Sequence, residues 1–355
     1  MAQSAKHNKA KQSESSGTTA RTRIIGQALV NWLRRITAIA LILPLIGLIY
    51  QAIATRLDER KYPPPGRLVD VGGYRLHIQG SESATHKDGP TVILDAGLGD
   101  CSLTWSLVQQ EIAKFTSVYS YDRAGLGWSD PAPTLRTSMQ MVRELRTLLT
   151  NAEIKKPYVL VGHSAGGINA LLFASQYPED VAGIVLVDSA HEDQGSGRYP
   201  IFITVGPLTA PFGLPRLFSP LFLSTNPVFA RDSRYPPVYR AIIARTNHVL
   251  TFRHEHMSFE QSLSEVRAEK KLLGDLPLTV VTASQPYQTA GLSQAQAEWL
   301  LHQKTLQKEL AQRSTSGKQI IVDNSSHFIQ YDRPEVVIDV VREVVESARH
   351  KGINI

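Results

Sequence analysis

The chain of 355 residues contains a single cysteine, Cys101. An intramolecular disulfide needs two cysteines, so a disulfide-stabilised scaffold is excluded, and so is a metal site built from several cysteines. No internal repeat is evident, and only one long apolar run is present. With an otherwise average composition, these absences exclude a disordered, collagen-like or polytopic membrane chain and leave a globular protein with enough residues for a sizeable core.

The body of the chain also lacks an excess of positive charge. The net charge is +6, but residues 1–61 contain ten Lys/Arg against three Asp/Glu, a net of +7, so the remainder carries −1. Binding to duplex nucleic acid depends largely on neutralising phosphates, which requires a broad basic face. A nucleic-acid partner is therefore not expected.

The one long apolar run is ITAIALILPLIGLIYQAIA, which covers residues 36–54 without a charge. As a helix these 19 residues span about 28 Å, close to the thickness of a bilayer core. Basic residues precede the run, with Arg34 and Arg35 next to it, so the positive-inside rule keeps the N-terminus cytoplasmic. We predict a disordered basic tail at 1–35, a transmembrane helix or signal anchor at 36–55, and an extracytoplasmic body.

Two other interpretations of this run stay open. Ala52-Ile53-Ala54 has the small-x-small form of a signal-peptidase site, in which case the body is secreted after cleavage. A buried core helix is the third possibility, although a stretch that is apolar all round beside a disordered tail has no obvious core to join. The Pro-rich segment 62–66 then predicts a stiff spacer before the body.

From residue 67 onward, short β-branched runs alternate with amphipathic stretches. This pattern predicts eight strands in a mostly parallel sheet with helices on both faces, an α/β fold within residues 62–355. The alternation stops between about 190 and 274, where Pro, Phe and Leu are frequent and helical periodicity appears from Pro237 to Lys271. We interpret this segment as a helical lid inserted over the strand ends.

A G-x-S-x-G motif, Gly162-His163-Ser164-Ala165-Gly166, follows an apolar strand and precedes an Ala/Gly-rich helix. A serine in this strand-turn-helix context is typical of a nucleophile elbow, where small flanking residues permit a sharp turn. Ser164 is the predicted nucleophile.

With these features the sequence resembles the α/β-hydrolase superfamily over nearly all of residues 67–350. Residues 94–100, LDAGLGD, lie where the family has its oxyanion loop, and residues 121–130, YDRAGLGWSD, resemble its D-R-x-G-x-G-x-S segment. Many members begin the oxyanion loop with His-Gly, where this chain has Ala-Gly. The resemblance implies an oxyanion hole formed by the backbone N–H groups of Leu98 and Ala165. Asp122 and Arg123 are expected to brace their loop as an ion pair.

The resemblance also implies a catalytic histidine after the last strand, and His327 in the segment DNSSHF lies there. Most members carry the acid after the seventh strand, but this chain has no carboxylate between that strand and Glu298. Asp188, at the end of the sixth strand, occupies the alternative acid position that haloalkane dehalogenases use. We predict a Ser164, His327 and Asp188 triad, with Glu192 and Asp193 as reserve candidates for the acid.

A serine nucleophile predicts hydrolysis of an ester, thioester or amide bond through an acyl-enzyme. The apolar lid and the anchor favour a hydrophobic small molecule or lipid as substrate and the membrane as a partner. No metal, nucleotide or flavin cofactor is implied. A C–C bond hydrolase or a haloperoxidase-like enzyme would use the same triad, and a non-catalytic receptor of the same fold is a further alternative.

Overall fold

The computed structural model describes residues 2–83, 89–195, 201–225, 237–284 and 294–352. Helix α1 (Ala2–Lys61) contains Pro44. Among the described residues, its part from Leu29 to Lys61 is the one helix long and apolar enough to cross a membrane, with a mean hydropathy of 2.2 over a stretch of 18 residues. The predicted membrane segment lies within this part. The segment predicted as a disordered tail is helical from Ala2 onward, since Ala, Lys and Gln favour a helix.

Eight strands form one sheet in the described residues: β1 (Arg67–Asp70), β2 (Arg75–Ser81), β3 (Thr91–Asp95), β4 (Val118–Tyr121), β5 (Tyr158–His163), β6 (Val181–Val187), β7 (Leu278–Ala283) and β8 (Gly317–Val322). Their order is β1-β2-β4-β3-β5-β6-β7-β8. Strand β2 runs antiparallel to its two neighbours and the other pairs are parallel. The predicted eight-stranded, mostly parallel sheet is confirmed.

In the described ranges the helices after α1 are α2 (Gln109–Ile112), α3 (Ser138–Asn151), α4 (Ala165–Gln176), α5 (Ile201–Thr209), α6 (Leu214–Thr225), α7 (Pro237–Ile243), α8 (Thr246–Met257), α9 (Phe259–Ala268), α10 (Gln294–Ala311), α11 (Ile329–Asp332) and α12 (Pro334–Gly352). The sequence predicts a helix over 293–313, which corresponds to α10, and its first residue, Ser293, lies outside the described residues. The sequence predicts one helix near 102–114, but this segment forms a 3₁₀ turn, Ser102–Trp105, followed by the short α2.

Both faces of the sheet are covered, so β5 is buried throughout. Because successive side chains of a strand point to opposite faces, Tyr158 and Leu160 pack in one core with α3 and α4. Val159 and Val161 pack in the other with α12. This double burial explains why the central strands are almost continuous apolar runs.

Between β6 and β7 the described residues include five helices, α5–α9, and we call residues 201–225 and 237–268 the helical insertion. It corresponds to the predicted insertion at about 190–274, of which 196–200 and 226–236 lie outside the described residues. The insertion is tied to α3, where the Ser138 amide donates to Ser262 Oγ at 2.9 Å and the Met139 amide to Glu265 Oε2 at 2.8 Å. These bonds satisfy free N–H groups at the start of α3.

Candidate active site

Ser164 lies in the turn between β5 and α4 with φ 53° and ψ −120°, in a region that a residue with a side chain rarely adopts. Such a backbone costs of order 1–3 kcal/mol and persists only where the surrounding structure imposes it. The flanking glycines make the turn possible. A Cβ on Gly162 would lie 2.3 Å from the Gly166 carbonyl oxygen, and a Cβ on Gly166 would lie 2.4 Å from the backbone carbonyl oxygen of Asp95.

Backbone hydrogen bonds hold the turn from both sides. The Ser164 amide donates to Val187 O at 3.1 Å, and the Ser164 carbonyl accepts from Gly167 at 3.0 Å and from Ala190 at 2.9 Å. Two of these partners belong to the end of β6 and the segment after it. The serine and the end of β6 are therefore fixed relative to each other.

His327 and Asp188 are in direct contact. His327 lies in the loop after β8, and its Nδ1 donates to Asp188 Oδ2 at 2.6 Å. The other carboxylate oxygen of Asp188 accepts from the Ala283 amide at 3.0 Å. With Nδ1–H bound to a carboxylate, a neutral imidazole has Nε2 as its proton acceptor, which is the tautomer that a general base requires.

His163 lies directly before Ser164 and is buried. Its Nε2 donates to the His327 carbonyl at 2.9 Å, and the two imidazole rings lie 4.6 Å apart. Burial, and then the nearby His327, lower the pKa of His163 well below its usual range, so it stays neutral. His163 thus joins the elbow to the loop that carries His327.

The loop after β3 passes beside the serine. A Cβ on Gly97 would lie 3.4 Å from Ser164 Cβ. Leu98 and Ala165, the two residues whose N–H groups are predicted to form the oxyanion hole, line the same small cavity. Ala165 is also the first residue of α4, where the helix dipole favours negative charge.

A buried ion-pair network holds this loop. Arg123 donates to Asp95 Oδ1 at 2.7 Å, to Ala96 O at 2.7 Å and to Gly97 O at 2.6 Å. On its other side it donates to Glu255 of α8 at 2.7 and 3.0 Å. Arg123 therefore pairs with Asp95 and Glu255 instead of the expected Asp122.

The electrostatics of the network follow from its burial. Burial raises the pKa of Asp95, and Arg123 only partly offsets this. Burial alone would raise the pKa of Glu255. The charge and hydrogen bonds of Arg123 have the larger combined effect, so the pKa of this carboxyl is lowered. Desolvation by burial would lower the pKa of the Arg123 guanidinium. Because Glu255 and Asp95 stabilise the cation, the pKa is instead raised well above its usual range. Sequence patterns gave no signal for Glu255, which lies 132 residues from Arg123.

The reserve candidates for the acid have other partners. Glu192 pairs with Lys270 at 2.9 Å and with Arg313, and Asp193 pairs with Arg267 at 2.8 Å. Together with His191 they form the one group in the described residues whose donor atoms are close enough, within 4.8 Å, to hold a metal ion. Because Lys and Arg side chains already neutralise these carboxylates, the cluster fits an ion-pair network better than a cation site.

A cavity of about 540 Å³ opens elsewhere, between α1 and the loop after β4. Gln51, Trp128 and Arg245 line it, and none of the three predicted triad residues does. Ser164, Asp188 and His327 instead follow the carboxyl ends of β5, β6 and β8, the edge at which α/β sheets usually bind ligands.

Comparison with known proteins identifies the family. Residues 92–340 match the model of the Alpha/beta hydrolase family. The uncharacterized protein YqjL of Bacillus subtilis is 27% identical over 267 residues, which are 75% of this chain and 87% of that protein.

Two solved structures share the fold. The enol-lactonase of Burkholderia xenovorans LB400 superposes with a TM-score of 0.60 at 18% identity, over 79% of this chain and all of its own. A putative lipase of Acinetobacter baumannii AYE gives 0.59 at 19% identity, over 85% of this chain and 97% of its own. On the family match, this chain belongs to the alpha/beta hydrolase family and is a hydrolase.

Proposed function

We propose that the protein is a serine hydrolase that cleaves an ester bond of a hydrophobic small molecule or lipid through Ser164, His327 and Asp188. The observation that carries the proposal is the 2.6 Å bond from His327 Nδ1 to Asp188, beside a serine held in a strained elbow. A module that only binds has no need of a backbone strain of this kind.

In the proposed reaction Ser164 Oγ attacks the ester carbonyl carbon while its proton passes to His327 Nε2. Asp188 stabilises the imidazolium that forms. The carbonyl oxygen becomes an oxyanion that accepts hydrogen bonds from the N–H groups of Leu98 and Ala165. When the tetrahedral intermediate collapses, His327 gives the proton to the departing alcohol and the acyl group stays on Ser164.

The second half repeats these roles with water. His327 takes a proton from the water molecule as it attacks the acyl carbon, and returns it to Ser164 Oγ as the acid leaves. Thioesters and amides follow the same path with a thiol or an amine as leaving group. We propose that the helical insertion acts as a lid over this site, supported by its contact with the oxyanion loop through Glu255.

A fluorophosphonate probe tests the nucleophile. It should label the wild type and fail to label Ser164→Ala. Ser326→Ala is the matched control, because that hydroxyl lies next to His327 and bonds to Asp332. Equal labelling of wild type and Ser164→Ala, or no labelling of either, would reject the serine hydrolase.

We further propose that α1 crosses the membrane with its N-terminus in the cytoplasm and the hydrolase domain outside. The length and hydropathy of the helix and the basic residues before it support this topology. Protease added to intact cells should digest the hydrolase domain, whereas digestion only after lysis would contradict export. The mass of the purified chain distinguishes a retained anchor from a cleaved signal.

A further inference from the structure

The outward face of the first part of the helical insertion is apolar. Residues 201–225, which include α5 and α6, contain one ionisable side chain, Arg216. The large apolar side chains exposed there are Phe202, Val205, Leu208, Leu214, Leu217 and Phe218. Six large exposed apolar side chains within residues 202–218 indicate an interaction surface, because monomeric soluble proteins rarely expose large apolar patches.

The one charged side chain in residues 201–225, Arg216, is largely buried against α1. Arg216 Nε donates to Gln51 Oε1 at 3.0 Å, and its guanidinium forms an ion pair with Asp58. Gln51 is itself buried, and its amide donates to the Ala244 carbonyl at 2.9 Å. The insertion is therefore attached to the C-terminal part of α1, and Asp58 of α1 neutralises the one cation of residues 201–225.

Close backbone contacts fix the level of the insertion along α1. A Cβ on Gly47 would lie 2.7 Å from the Phe212 oxygen, and one on Gly213 would lie 2.8 Å from the Tyr50 ring. Gly47 precedes Ala54, the end of the uncharged run, by seven residues, or about 10 Å of helix. If α1 crosses a bilayer, Phe212 lies about 10 Å below the end of the membrane-spanning run.

We propose that α5 and α6 dock in the leaflet on the hydrolase side of the membrane that α1 crosses. Helices that lie in a membrane interface bury their apolar face by about 5–10 Å, the depth at which α1 holds Phe212. This inference rests on the proposed membrane crossing of α1. The docking also specifies the class of natural substrate, an ester that dissolves in the bilayer. The reason is that the insertion, which would lie in the leaflet, contacts the oxyanion loop through Glu255.

Site-specific fluorescence tests the docking in the full chain, reconstituted in phosphatidylcholine vesicles. Leu217→Cys carries an NBD label, since Leu217 is exposed on α6 and the native Cys101 is fully buried. Leu272→Cys is the matched control, an exposed leucine outside the insertion. Lipids with a doxyl group near the head of the acyl chain should quench the label at position 217 by about twofold and leave that at 272 unchanged.

Equal quenching at the two positions, or none at 217, would overturn the docking. A label at 217 that is shielded from iodide but not quenched by doxyl lipids would assign the face to a second copy of the chain, which also overturns it. These readouts do not depend on hydrolysis. A negative result for docking therefore leaves the proposed serine chemistry untouched, because the fluorophosphonate probe tests that chemistry independently.

Activity gives an independent test. The double substitution Leu217→Ser and Phe218→Ser should lower hydrolysis of a long-chain ester in vesicles by about tenfold, because the apolar contact with lipid is lost. Hydrolysis of a water-soluble short-chain ester should stay at the wild-type rate. An equal loss of activity with the two esters would mean that Leu217 and Phe218 support the fold or the active site, and it would contradict docking.

Discussion

The Arg123 guanidinium and the Glu255 carboxylate form a buried two-point ion pair with bonds of 2.7 and 3.0 Å. The pair joins the loop after β4 to α8 of the helical insertion. Each partner also holds the oxyanion loop, Arg123 through the Ala96 and Gly97 carbonyls and Glu255 through the Gly99 amide at 2.7 Å. Leu98, whose N–H is the predicted oxyanion donor, lies between these fixed points.

Glu255→Gln should therefore impair both stability and turnover. Removing one charge of a buried pair costs about 3–5 kcal/mol, because the partner is left uncompensated. A loosened oxyanion loop should lower kcat by about 10- to 100-fold with little change in KM, since its donors act in the transition state. Urea unfolding and ester hydrolysis measure the two effects. Glu260→Gln, an exposed charge removal on the next helix, should leave both near wild type.

Asp188→Asn should lower kcat by about 10³- to 10⁴-fold while the chain stays folded, because the amide favours the wrong tautomer of His327. Asp193→Asn is the control for the reserve acid, since Asp193 pairs with Arg267 on the surface. Its activity should remain within about threefold of wild type. A large loss in Asp193→Asn with none in Asp188→Asn would reassign the acid.

The parts that local pattern encodes were predictable from the sequence. Apolar runs and small residues predict a helix at 138–151, a strand at 158–162 and a helix at 165–177. Helix α3 has these bounds, and β5 and α4 agree with theirs to within one residue. The contact of Asp188 with His327 agrees with the predicted pairing, since parallel strands end at one edge of the sheet. The catalytic roles of these residues stay predictions.

Contacts across the insertion were not predictable. Glu255 reaches Arg123 only because α8 folds back over the sheet, and nothing in its local sequence encodes that path. The attachment of Gln51 to Ala244 was missed for a related reason. The composition of the run does not reveal this contact, because Gln51 is one buried polar residue in a helix whose apolar side chains are mostly exposed.

The thiol of Cys101 should be silent in the native protein. It is fully buried, and burial, followed by the charges of Asp122 and Asp100, raises its pKa well above the usual range. Since the thiolate is the reactive form, DTNB at pH 8 should detect no thiol until denaturant is added, and then one. Leu272→Cys should add one thiol that reacts in the native state. Rapid native reaction of the parental chain would contradict the burial of Cys101.

His248 should make the fold sensitive to mild acid. It lies on α8, where its Nε2 donates to the Gly99 carbonyl at 3.0 Å and its Nδ1 accepts from the Gly127 amide at 3.4 Å. Burial lowers its pKa from 6.5 to about 4, against the opposing charges of Asp122 and Glu255. The neutral ring thus fits two partners, and a proton on Nδ1 would remove the acceptor for Gly127.

Because the folded-state pKa is below the unfolded one, the unfolded chain binds more protons between pH 6.5 and 4. The contribution of His248 to stability is complete above pH 6.5 and is lost as the pH falls through this window. The loss is about 2.5 kcal/mol from pH 7 to 4.5. Urea unfolding at a series of pH values should therefore show a shallower acid decline for His248→Gln than for wild type. Since His350 near the C-terminus shows no comparable burial, His350→Gln should retain the wild-type slope, and parallel curves for all three proteins would contradict the assignment.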